Sequence, residues 1–169
     1  MGPIGLTGAT GPPGPTGPAA SPAYAEFYAL MPPDNKTTVA PGTQVGFPQD
    51  GPTRGGITRL NSTDFELSSI GTYSVNFSVP VNEAGQLVIG LKSGGGMVEP
   101  PNMVELPYTV YGRATGTSHI SGEALVTTSV VNSTVDIRNP AGNAAALTIT
   151  PLAGGTHSDV ASIVIQQLG

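Results

Sequence analysis

Glycine recurs at positions 2, 5, 8, 11, 14 and 17 without a slip in the period. Proline follows it in four of those six triplets (Pro3, Pro12, Pro15, Pro18), and Pro13 adds a fifth proline. Three polyproline-II strands can share an axis only if every third residue has no side chain, because nothing larger than hydrogen fits there. A lone strand of this kind has no internal hydrogen bonds and nothing to order it. Residues 1–19 are therefore read as the end of a collagen-like stalk, triple-helical with two further copies or disordered without them. Residues 20–169 are read as one domain built to sit on, or hold together, three chains. Six triplets at ~3.1 Å per residue reach about 55 Å, which is short for a free-standing triple helix. A longer leader and more Gly-X-Y sequence upstream are expected.

Charged residues make up only 10% of the chain, where about a quarter is usual. The polar surface must then come from Ser, Thr, Asn, Gln and Gly, a composition suited to an exposed extracellular protein. The net charge of −5 and the scattered basic residues (Lys36, Arg54, Arg59, Lys92, Arg113, Arg138) argue against nucleic acid, which selects a basic patch. Without cysteine there is no disulfide framework, thiol nucleophile or thiolate metal site. No run of about 18 apolar residues occurs, so no membrane span is expected, and MGPIG lacks the basic and apolar regions of a signal peptide.

After the Ala19–Ala23 hinge, AYAEFYAL (23–30) alternates, with Tyr24, Glu26 and Tyr28 on one side and Ala25, Phe27 and Ala29 on the other. Residues 37–56 hold too much Pro and Gly for a helix, and only short edge pieces around Val39 and Val45–Phe47 are expected there. Short strands are expected at 57–60 and 65–67. The cleanest pattern follows: Tyr73, Val75, Phe77, Val79 and Val81 alternate with Thr72, Ser74, Asn76, Ser78 and Pro80. That is a strand with one buried face. Leu87, Ile89 and Leu91 repeat it. Val104 to Val110 alternates around Pro107, which places that strand at an edge or bulge. Further strands are expected at Ala124–Val130, Val135–Ile137 and Leu147–Ile149, and at 159–168, which is apolar on both faces. No segment has a 3.6-residue period. Short strands at roughly ten-residue spacing indicate an all-β sandwich or jelly roll.

Phe65, five residues, then Gly71-x-Tyr73-x-Val75-x-Phe77 resembles the core of the C1q/TNF-like head signature, with Val75 in place of one aromatic. Residues 23–52 resemble the opening of the head domain in bacterial collagen-like glycoproteins of the BclA type, found on the spore surfaces of Bacillus and Clostridium relatives. Their stalks carry Gly-Pro-Thr triplets like the one at Gly14-Pro15-Thr16. The resemblance implies a trimeric C1q/TNF-like jelly-roll β-sandwich, standing on the stalk and forming hair-like projections on the exosporium. It further implies that the first and last strands lie together on the sheet facing the threefold axis. Tyr24, Phe27, Tyr28, Ile163 and Ile165 are then expected at the trimer interface, and Phe65, Tyr73, Val75, Phe77, Leu87 and Ile89 in the sandwich core. Thr7, Thr10 and Thr16 occupy outward Y positions. They resemble the O-glycosylated threonines of such stalks, although Thr also suits a Y position in a chain without hydroxyproline.

Catalytic chemistry finds little support. His119 and His157 are flanked by Ser or Thr and are expected in solvated loops, with Asp159 two residues from His157. No Gly-x-Ser-x-Gly motif occurs. Gly94-Gly95-Gly96 lacks the Lys-Ser/Thr pair of a phosphate loop. Asp34, Asp50 and Asp64 fall in turn sequences, where Asp accepts turn hydrogen bonds; calcium ligation is the functional alternative. Asn35, Asn61, Asn76 and Asn132 fit the N-glycosylation pattern, as a Ser/Thr/Asn-rich chain will. The expectation is a homotrimeric structural surface protein without catalytic or metal site or cofactor. Its partners would be other spore-surface proteins or a host receptor or glycan. The competing readings are a receptor- or glycan-binding adhesin and the tip of a phage tail fibre.

Overall fold

The computed structural model describes residues 1–3, 8, 11, 21–31, 34, 38–99, 101–116, 118–149 and 155–169. Most of the Gly-X-Y stretch, including Thr7, Thr10 and Thr16, lies outside the described residues.

Alternation becomes strand wherever it is sustained. The strands are β1 (Tyr24–Met31), β2 (Thr38–Val39), β3 (Gln49–Arg54), β4 (Ile57–Arg59), β5 (Phe65–Leu67), β6 (Gly71–Val81), β7 (Gly85–Lys92), β8 (Val104–Glu105), β9 (Tyr111–Arg113), β10 (Ser118–Thr128), β11 (Ser133–Arg138), β12 (Leu147–Thr148) and β13 (Asp159–Gln167). One sheet runs β10-β6-β13-β1-β3; the facing sheet runs β4-β5-β11-β7-β8, with β9 also on β7; β12 pairs with β2. All pairings are antiparallel, and β1 and β13 pair along their length from Tyr24–Gln166 to Met31–Asp159. First and last strands thus lie side by side within one sheet, a non-sequential order that makes the sandwich a jelly roll.

The core fills the space between the sheets. Phe27 of β1 stacks on Phe65 of β5 with ring centroids 4.5 Å apart, and Phe47 meets Phe65 edge-on at 6.0 Å. Phe65, Tyr73, Val75, Phe77, Leu87 and Ile89 are all buried there, as are Ile163 and Ile165 of β13. Each such side chain contributes roughly 1.5–3 kcal/mol by leaving water.

Three local expectations change. Residues 49–54 form a full edge strand despite Gly51 and Pro52, because the β1–β3 register slips between Ala25 and Phe27 and the edge tolerates the missing amide. The 104–110 strand is broken: Pro107 starts a 3-10 turn, Pro107–Thr109, which divides β8 from β9. β10 begins at Ser118 rather than Ala124, so His119 lies on a strand, not in a loop.

Candidate functional site

The outward face of the β10-β6-β13-β1 sheet is built by the residues of opposite parity to the core. Register sets them in rows across four strands: Tyr24, Gln166, Ser74, Leu125; then Glu26, Val164, Asn76, Glu123; then Tyr28, Ser162, Ser78, Ser121. Leu30 stands opposite Val160 in a fourth row. The centre of the face is small and flat because β6 and β13 place Ser, Asn and Val there. Its hydroxyls satisfy one another: Ser78 Oγ lies 2.9 Å from Ser121 Oγ and 2.8 Å from His119 Nδ1, and Asn76 Nδ2 donates to Ser74 Oγ at 3.0 Å. Tyr24, Leu30, Leu125, Val160 and Val164 remain exposed. In these rows, Glu26 and Glu123 are the charged residues.

A hollow of about 470 Å³ interrupts the face beside Ser78, Ser121, Glu123, Ser162 and Val164. Gly122 creates it. A Cβ at Gly122 would sit 2.7 Å from Phe77 Cζ and collide with the Tyr111 ring. Without one, Tyr111 packs edge-on against Phe77 at 5.9 Å and its hydroxyl donates to the Glu123 carbonyl.

Of the residues expected at an interface, Tyr24 and Tyr28 lie on this outward face. Phe27, Ile163 and Ile165 do not: they are 2%, 0% and 0% exposed within one chain, so another copy could cover nothing more of them. The reason is strand alternation, which sends neighbouring side chains to opposite sides. On the outward side of these two strands stand instead Val160, Ser162 and Val164 from β13 and Leu30 from β1. In 159–168 one parity runs Asp159, Ala161, Ile163, Ile165, Gln167 and the other Val160, Ser162, Val164, Gln166, Leu168, so both carry large apolar residues and neither is marked as the core side.

The acidic candidates do not converge. Asp34 accepts the Leu30 amide at 3.0 Å and Gln49 Nε2 at 3.1 Å. Asp50 takes both arms of the Arg59 guanidinium at 2.8 Å, and this hydrogen-bonded pair holds its carboxyl below the ordinary range. Among the described residues no three His, Cys, Asp or Glu side chains are grouped to hold a metal ion. His157 is exposed. Among the described residues no helix is long and apolar enough to cross a membrane.

Asp64 belongs to a buried polar cluster that sequence reasoning missed. Asp136 and Arg138 of β11 pair inside the second sheet, both almost fully buried, and Gly90 N donates to Asp136 Oδ1 at 3.2 Å. Arg138 also donates to the Val98 carbonyl at 3.0 Å, while Asp64 Oδ1 accepts the Val98 amide at 3.2 Å. Val98 is thereby clamped at both backbone atoms in the middle of the loop after β7. Burial pushes the Asp136 carboxyl up to about 6 despite the pull of Arg138, and Asp64 adds to the rise.

No protein-family model matches the chain, and no curated protein sequence matches it. Solved structures do. The globular domain of a zebrafish complement 1qA protein shares 15% identity at TM-score 0.57, over 88% of this chain and 97% of that one. Murine APRIL at pH 5.0 shares 13% identity at TM-score 0.58, over 88% and 100%. Murine APRIL at pH 8.5 shares 12% at TM-score 0.54, over 86% and 99%. The fold is the C1q/TNF-like jelly roll. The outward face of β10-β6-β13-β1 is therefore one face of a C1q/TNF-like sandwich, and the chain entering at Ala23 joins that sheet at β1.

Proposed function

We propose that residues 20–169 are the homotrimeric head of a collagen-like surface protein, associating through the outward face of β10-β6-β13-β1. The observation that carries this reading is the face itself: flat, nearly uncharged, with Tyr24, Tyr28, Leu30, Val160 and Val164 presented to water. Exposed apolar and tyrosine-bearing patches of this kind mark protein interfaces. The strict glycine period supports the number three, since that sequence is ordered only in a triple helix. Holding three stalks together raises their effective concentration to ~mM and removes most of the cost of starting the helix.

The role is structural. By the resemblance of residues 23–52, the assembly stands as hair-like projections on a bacterial spore surface, outside the cell, where its far end could adhere to other surfaces. A second reading, a tip that binds a receptor or glycan, is favoured by one feature: a hollow of about 600 Å³ between Gln86, Arg113, Asn143 and Leu147. It lies at the end of the head opposite Ala23. An array of neutral glycans tests that reading. Light scattering over serial dilution tests the first: a mass near 51 kDa, three times the 17.0 kDa chain, is expected, and 17.0 kDa throughout would overturn it.

A further inference from the structure

An exposed apolar rim lies at the end of the head where Ala23 leads into β1. Three segments meet there. Thr128 Oγ1 donates to Ser69 O at 3.2 Å and accepts Gly71 N at 3.1 Å. Thr72 N donates to Gly169 O at 2.7 Å, and Leu168 N to Thr72 O at 2.8 Å. Gln167 N donates to Ala23 O at 2.8 Å, which ties the C-terminal segment to the first residues of the head. On these bonded segments Ile70, Val131 and Leu168 are 55%, 53% and 55% exposed, and Val130 is exposed beside them. No charged residue occurs in 68–72, 128–132 or 166–169.

We infer that this rim seats the last triplets of the chain's own stalk, residues 11–20, in the trimer. The inference rests on the proposed trimeric reading. Position supports it: adjacent strands lie ~4.8 Å apart and residues rise ~3.4 Å along a strand, so Thr128, three strands across from Ala23 and two residues further along, is about 16 Å away. Ala20 is three residues before Ala23, within about 10 Å of it, and Pro18 within about 18 Å. The stalk must therefore begin within reach of the rim. Chemistry supports it as well. Gly11 to Ala20 contains four prolines, two alanines and no charge, and the first charged residue in the whole chain is Glu26. An uncharged Pro/Ala surface arrives at an uncharged Ile/Val/Leu rim, and each buries apolar area against the other. The end of a triple helix is where its strands fray, so cover there holds the stalk in register.

The test uses the full chain with Ile70→Ser, Val131→Ser and Leu168→Ser combined, and separately Val130→Thr with Val131→Thr, which keeps side-chain shape. Mass is measured first, then thermal circular dichroism follows the polyproline-II signal of the stalk and the β signal of the head. The inference expects trimers whose stalk transition shifts downward while the head transition stays in place. A stalk transition unmoved in both variants overturns it, and leaves the rim to some other protein. A wild-type trimer with no stalk transition also overturns it. A wild-type monomer instead overturns the trimeric reading on which it stands.

Discussion

Ile163 and Val164 are neighbours in β13 and point to opposite sides of the same sheet: Ile163 is wholly buried between the sheets, whereas Val164 is 39% exposed on the outward face. A single strand therefore carries the fold's stability on one side and, in our reading, its assembly on the other. The two roles separate experimentally. Ile163→Ala leaves a cavity in a close-packed core and should cost about 2–5 kcal/mol. Urea unfolding at fixed protein concentration measures this. The folded fraction should keep the mass of the unaltered protein.

Arg138→Met should be among the most damaging single changes in the head. It strands Asp136 as a buried carboxylate without its cation and removes a donor from Val98 O, and loss of one partner of a buried pair costs about 3–5 kcal/mol. The double change Arg138→Met with Asp136→Asn should recover part of that loss. Limited proteolysis should report cleavage near Gly94–Met97 in the single variant, where the Val98 clamp has been weakened.

Mild acid should stabilise the head. Asp136 holds its proton up to about 6 in the folded protein but only to about 3.8 when unfolded. Between those values the folded state binds more protons than the unfolded state, so stability rises as pH falls from 7.5 towards 5. Asp50, held low by Arg59, acts in the opposite direction, and only below its ordinary range. Thermal unfolding across this pH range should show the rise, and Asp136→Asn should abolish it. A flat profile in the unaltered protein would contradict the assignment.

Gly122→Ala should destabilise the head by about 1–3 kcal/mol, because the added methyl has no room beside Tyr111 and Phe77. Near-ultraviolet circular dichroism should register the altered Tyr111–Phe77 contact.

The sandwich was legible in the sequence because its long strands have strict period-2 alternation, most clearly Tyr73 to Val81. The face to which a side chain belongs was less legible in β1 and β13. Both parities there contain large apolar residues, so hydrophobicity alone did not separate Phe27 and Ile163 from Tyr28 and Val164. The edge strand at 49–54 was hidden by Pro52 and Gly51, whose cost is absorbed at a bulge on the sheet's margin. The Asp64–Asp136–Arg138 cluster left no local signal: Asp64 is 72 positions from Asp136 in sequence, and their meeting is a product of the strand order.

The most direct test is the solution mass of Val164→Asp beside the unaltered chain, with circular dichroism as a check on folding. A charge at the centre of the outward face should leave the sandwich intact and yield folded monomers of about 17 kDa where the unaltered chain gives a trimer. A folded Val164→Asp protein that remains trimeric at the same dilution would contradict assembly through this face.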